Sequence, residues 1–287
     1  MSEKKVALVI LDGWGYGAQD ASDAIFNAST PCVDSLHNDF PHATLRTDGE
    51  FVGLPEGQMG NSEVGHMNIG AGRVVFQDLL RINHAIDRGT FQLEPVLQEA
   101  LEAAKEPGRR LHIVGLVSRG GVHSQQEHLH SVVDAVNSAG VPDAVIHAFT
   151  DGRDTAPKSG LGYLKNLETH LSQTNSPIQI ASVHGRYYAM DRDKRWERIA
   201  HSYRAMCTNG GDEFESVEAG IQSSYHENTT DEFILPFRIQ GVEGQIRPND
   251  VVICFNFRTD RCRQITTALT QNDFPEFGMS MLPLYFV

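Results

Sequence analysis

Residues 111–124, LHIVGLVSRGGVHS, set the pattern on which most of this chain is built. The apolar run 111–117 predicts a buried β-strand, and the glycine pair after it predicts a loop. The same order returns in strands predicted at 144–149, 178–183 and 251–257. Helices are predicted between or after these strands, at 125–139, 160–171, 194–206 and 260–269. This alternation is typical of an α/β layer with a mainly parallel sheet, although residues 212–246 are less regular.

Each of these four strands is followed by a loop that is rich in glycine, arginine or both. The loops are SRGGVHS with Arg119 and His123, TDGRDT with Arg153 and Asp154, HGRYYAMDRDKR with Arg186 and Arg192, and NFRTDRCR with Arg258 and Arg261. The carboxyl ends of parallel strands meet at one crevice, and the guanidinium fork suits phosphate and carboxylate. We therefore expect several of these arginines to bind one small anion. For any single arginine, a surface ion pair with a nearby aspartate remains the alternative.

Other polar residues of the same loops have alternative roles. His123 is a candidate proton donor or acceptor, or a further phosphate contact, whereas His128 and His130 are interpreted as solvated helix residues. Asp154 lies beside Arg153 in a site for anions. We expect it to bind a substrate hydroxyl or to orient an arginine.

The first part of the chain has a different pattern. Helices predicted at 77–88 and 93–105 open the second domain, so the expected domains are 1–76 and 77–287. The aliphatic run 6–11 predicts a strand buried on both faces, and it ends in Asp12. A carboxylate at a strand end is either the cap of the next turn or, beside a serine loop, a ligand for Mg²⁺ or Mn²⁺.

That serine loop is MGNSEVGH, residues 59–66. Ser62 lies at the expected start of a helix, where unpaired N–H groups favour a phosphate, and Gly60 and Gly65 would let the backbone approach a ligand. The alternative is an ordinary helix N-cap. A metal held by Asp12 would activate the Ser62 hydroxyl as a nucleophile.

Composition narrows the function class. The chain has 287 residues, 40% of them hydrophobic, and a formal charge of −13. This charge argues against nucleic acid or an anionic membrane as the main partner. The four cysteines are not spaced as metal ligands or as a disulfide framework, and the N-terminal sequence does not resemble a secretory signal. We therefore expect a cytoplasmic globular protein.

Six strings together carry a family resemblance: ILDGWG, MGNSEVGHMNIGAGR, SRGGVHS, TDGRDT, HGRYYAMDRD and FNFRTDRCRQ. In this order they closely resemble the cofactor-independent phosphoglycerate mutases, metal-dependent relatives of alkaline phosphatase. The resemblance runs from Val6 to the end of the chain. It implies two lobes: an alkaline-phosphatase-like metal lobe, and an α/β phosphotransferase lobe that binds the substrate.

The resemblance also implies an activity and the residues that perform it. The activity is interconversion of 3-phosphoglycerate and 2-phosphoglycerate without 2,3-bisphosphoglycerate, with Ser62 as a transient phosphoserine. Asp12 and Ser62 match positions that bind one of two Mn²⁺ (or Mg²⁺) ions. Closure of the lobes would exclude water from the phosphoserine. The matched substrate-binding positions are His123, Arg153, Asp154, Arg186, Arg192, Arg258 and Arg261.

One departure from the family limits these expectations. Family members are longer, and their chain returns to the first lobe with further metal ligands and a lysine. We therefore expect residues 1–76 to be an incomplete metal lobe, this chain alone to have little mutase turnover, and the full-length protein to be a monomer. The alternatives are a related phosphomutase or phosphatase of the same superfamily, and a non-catalytic module that only binds phosphoglycerate.

Overall fold

The computed structural model of this chain describes residues 5–287. They divide into two units, one that extends to Leu80 and one from Arg81 to Val287. The division falls inside a helix, Asp78–Asp87.

The first unit consists of short helices and turns. Its helices are α1 (Ala24–Asn27), α2 (Pro31–Asp39), α3 (Ser62–Ala71) and the beginning of α4 (Asp78–Asp87). A 3₁₀ turn spans Gly49–Val52, and an isolated antiparallel bridge joins Asp48 to Met59. Few side chains in this unit are buried, Val52 and Val64 among them.

The strand predicted at residues 6–11 is wrong for the described structure. This segment has no regular secondary structure, and Val6 and Leu8 are 93% and 72% exposed. A strand with two apolar faces needs neighbours on both sides for its hydrogen bonds and its packing. Among the described residues, no strand pairs with this segment, so the apolar run lies unpaired.

The second unit is built on one seven-stranded sheet. Its strands are β1 (Leu111–Leu116), β2 (Ala144–Thr150), β3 (Gln179–Gly185), β4 (Asp212–Phe214), β5 (Phe237–Ile239), β6 (Val251–Cys254) and β7 (Tyr285–Phe286). They lie in the order β4-β5-β3-β2-β1-β6-β7. All neighbouring pairs are parallel except β3 with β5. The predicted α/β class with a mainly parallel sheet is confirmed.

Helices cover both faces of this sheet. They are α5 (Pro95–Ala103), α6 (Gln126–Ala139), α7 (Gly160–Gln173), α8 (Arg186–Ala189), α9 (Trp196–Cys207), α10 (Val217–His226) and α11 (Arg263–Thr270). Alternate strand residues enter two cores: Leu111 and Ile113 pack with α5, α6, α7 and α10, whereas Val114 and Leu116 pack with α8, α9 and α11. Because both faces are covered, all six residues of β1 are buried. Within residues 5–287, none of the helices has both the length and the apolar character needed to cross a bilayer.

The topology places a crevice at the carboxyl edge of the sheet. The chain runs from β1 to β2 on one side, whereas β6 lies on the other side of β1. In α/β sheets ligands bind where the strand order reverses in this way. Pairing of β1 with β6 ends at Val114 and Cys254, and the Asn256 side chain then accepts a hydrogen bond from Leu116 N at 2.9 Å. The loops after β1 and β6 therefore leave the sheet side by side.

Candidate functional site

In the first unit, the structure brings Ser62 and Asp12 into contact across 50 residues of sequence. Ser62 Oγ donates a hydrogen bond of 2.7 Å to Asp12 Oδ2, and it lies 3.2 Å from His66 Nδ1. Asp12 follows Leu11 into a turn, in which Gly13 has φ +79° and Trp14 N donates to Leu11 O. The result is an exposed serine hydroxyl directly beside a carboxylate.

The N-cap of α3 is Asn61 rather than Ser62. Its side chain accepts a hydrogen bond from Val64 N at 3.1 Å, which is the usual N-cap contact. Ser62 is the first residue of the helix, and its hydroxyl takes no part in this capping bond. The capping alternative for Ser62 is therefore excluded by the geometry.

Gly60 serves a packing purpose that differs from the expected one. A Cβ added at Gly60 would lie 1.9 Å from Thr47 O, so this glycine lets two segments of the unit cross. A Cβ at Gly65 would have no atom within 4 Å among the described residues.

Asp12 and Ser62 suit a hard cation but are too few to hold one. Mg²⁺ requires near-octahedral oxygen coordination and is usually held by one or two carboxylates plus other ligands. Within residues 5–287, no group of three or more His, Cys, Asp or Glu side chains is placed to bind a metal ion. The two side chains offer oxygen donors that suit a hard cation, but by themselves they do not form a complete metal site.

In the second unit, Arg186 is the buried anchor of the crevice. Its guanidinium Nη1 donates 2.6 Å hydrogen bonds to Asp151 Oδ1 and Asp154 Oδ2, and its side chain is 2% exposed. Asp151 also accepts from Ser118 Oγ at 2.7 Å. Burial lowers the pKa of Arg186, but the bonds and charges of the two aspartates outweigh it and raise the pKa overall. Arg186 is thus fixed as a cation.

His123 lies between two carboxylates at the same edge. Its Nε2 is 3.7 Å from Asp154 Oδ2 and its Nδ1 is 3.7 Å from Asp260 Oδ1, which is beyond hydrogen-bond range. Burial, followed by the charges of Arg186 and Arg258, lowers the pKa of His123 to about 4. The imidazole is therefore neutral near pH 7, and one ring nitrogen can accept a proton or a hydrogen bond.

Most of the other arginines at this edge hold a carboxylate, as the ion-pair alternative predicts. Arg258 Nε and Arg192 Nη1 lie 3.0 Å and 3.2 Å from opposite oxygens of Asp260. Arg153 Nη1 lies 3.5 Å from Glu232 Oε1. Arg119 pairs with Glu127 on α6 at 2.7 Å.

Arg261 differs from the rest. Within the described part of the chain it makes no ion pair within 4.0 Å, and its buried Nε has no hydrogen-bond partner. Burial and then the positive charges of Arg192, Arg186 and Arg153 lower its pKa. A half-buried guanidinium among three other arginines is an electrostatic cost that an anion would relieve.

The seven substrate positions expected from the sequence thus fall in one region of the second unit. Asp154 joins Arg186 to His123, and Asp260 joins His123 to Arg192 and Arg258. Arg153 and Arg261 belong to the same group, because the charge of Arg153, like those of Arg186 and Arg192, lowers the pKa of Arg261. The metal-ligand candidates, Asp12 and Ser62, form a separate cluster in the first unit.

A family model matches most of this second unit. The model described as "BPG-independent PGAM N-terminus (iPGM_N)" covers residues 82–287. The chain belongs to this family. Two relatives named 2,3-bisphosphoglycerate-independent phosphoglycerate mutase extend the similarity to the first unit. The protein from Bacteroides thetaiotaomicron is 49% identical over 280 residues, and that from Flavobacterium psychrophilum is 50% identical over 288 residues.

The members of this family that resemble the chain are considerably longer. The alignments cover 98% and 99% of this chain but only 55% and 57% of those two proteins, so the chain spans about half the length of these curated relatives. A solved structure, that of Leishmania mexicana phosphoglycerate mutase at low cobalt concentration, matches with a TM-score of 0.74 and 33% identity. The match covers 96% of this chain and 53% of the Leishmania mexicana chain.

Sequence reasoning singled out Asp154, which pairs with Arg186, but it missed three other carboxylates that contact these arginines. Asp151, Glu232 and Asp260 each contact an arginine of the crevice. Asp151 and Asp260 lie within the TDGRDT and FNFRTDRCRQ strings, so the sequence could have indicated them as site residues. Glu232 lies in the irregular segment, where no sequence pattern indicates a site residue.

The interpretation of His128 as a solvated residue is wrong. It is 2% exposed, and its Nε2 lies 2.7 Å from Asn83 Oδ1. His130 is partly buried and stacks on His170 with ring centroids 4.2 Å apart. Burial lowers the pKa of both histidines to about 4, so they pack as neutral rings.

Proposed function

We propose that this chain is the part of a 2,3-bisphosphoglycerate-independent phosphoglycerate mutase that binds phosphoglycerate and carries the acceptor serine. The names of its relatives support this activity, and the arginine crevice of the second unit supports an anionic substrate. The reaction interconverts 3-phosphoglycerate and 2-phosphoglycerate in glycolysis and gluconeogenesis, without 2,3-bisphosphoglycerate. In functional terms, residues 1–76 belong to a metal-binding domain and residues 77–287 form the substrate-binding domain.

The crevice residues divide into those that bind and those that orient. Arg153, Arg192, Arg258 and Arg261 bind the phosphate and carboxylate oxygens of the substrate, because the guanidinium fork matches both groups. Arg186 is buried and holds Asp154 in place. Asp154 and the neutral His123 face the hydroxyl groups of the glycerate, where a carboxylate and an imidazole can accept a proton.

Ser62 is the nucleophile of the proposed reaction. Its Oγ–H donates to Asp12 Oδ2. In the proposed step Oγ attacks phosphorus, the bond from phosphorus to the glycerate oxygen breaks, and the proton that Ser62 loses is balanced by the proton that the glycerate oxygen takes up to become a hydroxyl. The same phosphoryl group then returns to the other hydroxyl of the glycerate. Mn²⁺ or Mg²⁺ bound by Asp12, Ser62 and further ligands would supply Lewis-acid activation of the serine. We place the protein in the cytoplasm and expect a monomer at full length.

The observation that carries the binding proposal is Arg261, which is half-buried among cations and whose Nε has no hydrogen-bond partner within residues 5–287. The test is a calorimetric titration of 3-phosphoglycerate into the 287-residue chain and into Arg261→Gln. We expect the parent to bind and the variant to bind about tenfold to a hundredfold more weakly, because a charged hydrogen bond contributes about 1.5–3 kcal/mol.

The matched control removes an arginine from the opposite edge of the sheet. Arg247 lies just before β6 and pairs with Glu243 on the surface. Arg247→Gln changes the net charge equally, so its affinity should equal that of the parent. A folded parent that does not bind 3-phosphoglycerate, or an Arg261→Gln variant that binds like the parent, would contradict the proposal.

A second reading has one specific observation in its favour. Asp12 and Ser62 lie side by side, and no group of three or more His, Cys, Asp or Glu side chains among the described residues is placed to bind a metal ion. The chain by itself would then be a module that binds phosphoglycerate without converting it. The two readings share the crevice and differ only in turnover.

A further inference from the structure

Asp231 is a buried carboxyl that the proposed reaction does not use. It is 0% exposed, and among the described residues it makes no ion pair with a cationic side chain. A buried, unpaired carboxyl is costly unless its oxygens are fully hydrogen-bonded. Burial raises the pKa of Asp231, in spite of the hydrogen bonds from Tyr225 and Gly160.

Four hydrogen bonds tie Asp231 to three elements. Its Oδ2 accepts from Gly160 N at 2.7 Å, and its Oδ1 accepts from Tyr225 Oη at 2.5 Å. Its backbone O accepts from Thr150 Oγ1 at 2.7 Å, and its N donates to Pro157 O at 2.9 Å. Thr150 and Gly160 are the two ends of the loop between β2 and α7, which carries Arg153 and Asp154. The side chain of Asp231 therefore fixes the Gly160 end of this loop, and its backbone fixes the Thr150 end.

The segment that follows Asp231 contacts two site loops. We call residues 231–234 the brace. Gly152 has φ +69°, and a Cβ there would lie 2.7 Å from Glu232 N. Gly185, which precedes Arg186, donates its N–H to Ile234 O at 2.8 Å, and a Cβ there would lie 2.6 Å from Ile234 N. The brace thus lies against the backbone beside both Arg153 and Arg186.

We propose that Asp231 is a positioning residue for the anion site, and that it acts by holding the loop of Arg153 and Asp154 in the geometry that binds substrate. This inference rests on the function proposed above. The brace also presents Glu232 to the guanidinium of Arg153 at 3.5 Å. It therefore contacts this arginine at its charged group as well as beside its backbone. A preorganised loop binds more tightly because less conformational freedom is lost on binding.

The test compares 3-phosphoglycerate affinity in the parent chain of 287 residues and in two Asp231 variants, at a temperature where circular dichroism shows each to be folded. Asp231→Ala should weaken binding about tenfold, the loss expected when one charged contact is misplaced. Asp231→Asn should stay within about threefold of the parent, because its amide oxygen can accept from Gly160 N while its NH₂ donates to Tyr225 Oη. Unchanged affinity in Asp231→Ala would overturn the inference.

The control is Asp250→Ala at the amino edge of the sheet. Asp250 is also buried, and it accepts hydrogen bonds from Arg110 N and Arg247 N. This variant should lower the melting temperature without changing the affinity for 3-phosphoglycerate. If Asp231→Ala and Asp250→Ala weaken binding equally, the effect of Asp231 is only a general loss of stability, and the inference is overturned. If Asp231→Ala does not fold, Tyr225→Phe removes only the phenol donor, and unchanged affinity in that variant would also overturn the inference.

Two further measurements separate this inference from the function on which it rests. In a double-mutant cycle, Arg153→Ala should weaken binding much less in the Asp231→Ala background than in the parent, and additive effects would contradict coupling through the brace. Hydrogen exchange needs no ligand: amides of residues 152–160 should exchange faster in Asp231→Ala. If the parent does not bind, the proposed function fails, and unchanged exchange would independently overturn the brace.

Discussion

At the scale of single residues, the arginines of the crevice differ in what holds them. Arg186 is 2% exposed and bonded to two aspartates, whereas Arg192 is 48% exposed and shares one aspartate with Arg258. The sequence pattern predicted that these arginines lie at the same edge of the sheet, because each follows a strand that the pattern also predicts. It did not give the partners, since which carboxylate meets which arginine depends on how loops from different strands fold together.

The first residue-scale prediction concerns Arg186→Met. Removal of this guanidinium leaves Asp151 and Asp154 without their counter-charge, and Asp151 is 1% exposed. Breaking a buried pair in this way costs about 3–5 kcal/mol. Urea unfolding should show a loss of this size, or a chain that no longer folds.

The matched change is Arg192→Met, which removes a largely exposed guanidinium from Asp260. Its cost should stay within about 1 kcal/mol, as for other exposed pairs. Equal losses of unfolding free energy in the two variants would show that the burial of Arg186 has no energetic consequence.

At the scale of elements, a row of buried polar side chains crosses the central strands. His112 on β1 lies 3.0 Å from His147 on β2, which lies 2.6 Å from Ser182 on β3, and Ser182 lies 2.6 Å from His184. His112 also contacts Asp250 at 3.1 Å. All three rings are 0% exposed and face the core of α9 and α11. Neutral rings can supply the donor or the acceptor that each of these contacts needs, although His184 Nδ1 has no hydrogen-bond partner among the described residues.

This row predicts a loss of stability in mild acid. Burial lowers the pKa of His112 and His147, and lowers that of His184 to about 3. In the unfolded chain the same rings titrate near pH 6.5, so below that pH the unfolded state binds more protons than the folded state. The free energy of unfolding should therefore fall as pH is lowered from about 7 to 5, with up to about 1.4 kcal/mol per pH unit for each histidine.

The measurement is urea unfolding at several pH values between 7 and 5, above the range in which most carboxylates titrate. His147→Gln removes one titrating ring and should make the dependence on pH shallower. A free energy of unfolding that does not change across this range would refute the assignment of the rings as neutral.

The elements also show where sequence reasoning succeeded and failed. Strands β1, β2, β3 and β6 were predicted because each is a buried apolar run that ends in a glycine or arginine loop. The three-residue strands β4 and β5 lie in the irregular segment and are too short for a periodic signal. The run at 6–11 has the same local signal as β1, yet it is not a strand, because a strand requires partners that local sequence does not specify. The predicted helix at 260–269 begins only at Arg263, which leaves Asp260 and Arg261 in the loop.

At the scale of the whole molecule, the chain contains a nearly neutral cluster of arginines and carboxylates inside a protein of net charge −13. It spans about half the length of its relatives, and within residues 5–287 the serine has one carboxylate beside it rather than a complete metal site. Anion binding and phosphoryl transfer would therefore depend on different groups of residues.

We predict that the 287-residue chain has little or no mutase turnover, even with added Mn²⁺. Two oxygen ligands do not complete the coordination that a hard cation needs. An enolase-coupled assay with 3-phosphoglycerate should stay near background, and turnover at a rate typical of the full-length relatives would contradict this prediction. Inorganic phosphate should be measured in the same samples, because its release would indicate a phosphatase instead.

The carboxylates of the crevice have a consequence for how a ligand enters and leaves. Five arginines, Arg153, Arg186, Arg192, Arg258 and Arg261, face four acidic residues, Asp151, Asp154, Glu232 and Asp260. These acids act as counter-ions of the arginines, so an anionic ligand of the kind proposed would have to displace them in order to bind. Its affinity would then be the difference between two sets of ion pairs, which would be smaller than the attraction of five unpaired arginines. When such a ligand left, the carboxylates would pair with the arginines again and lower the barrier to release.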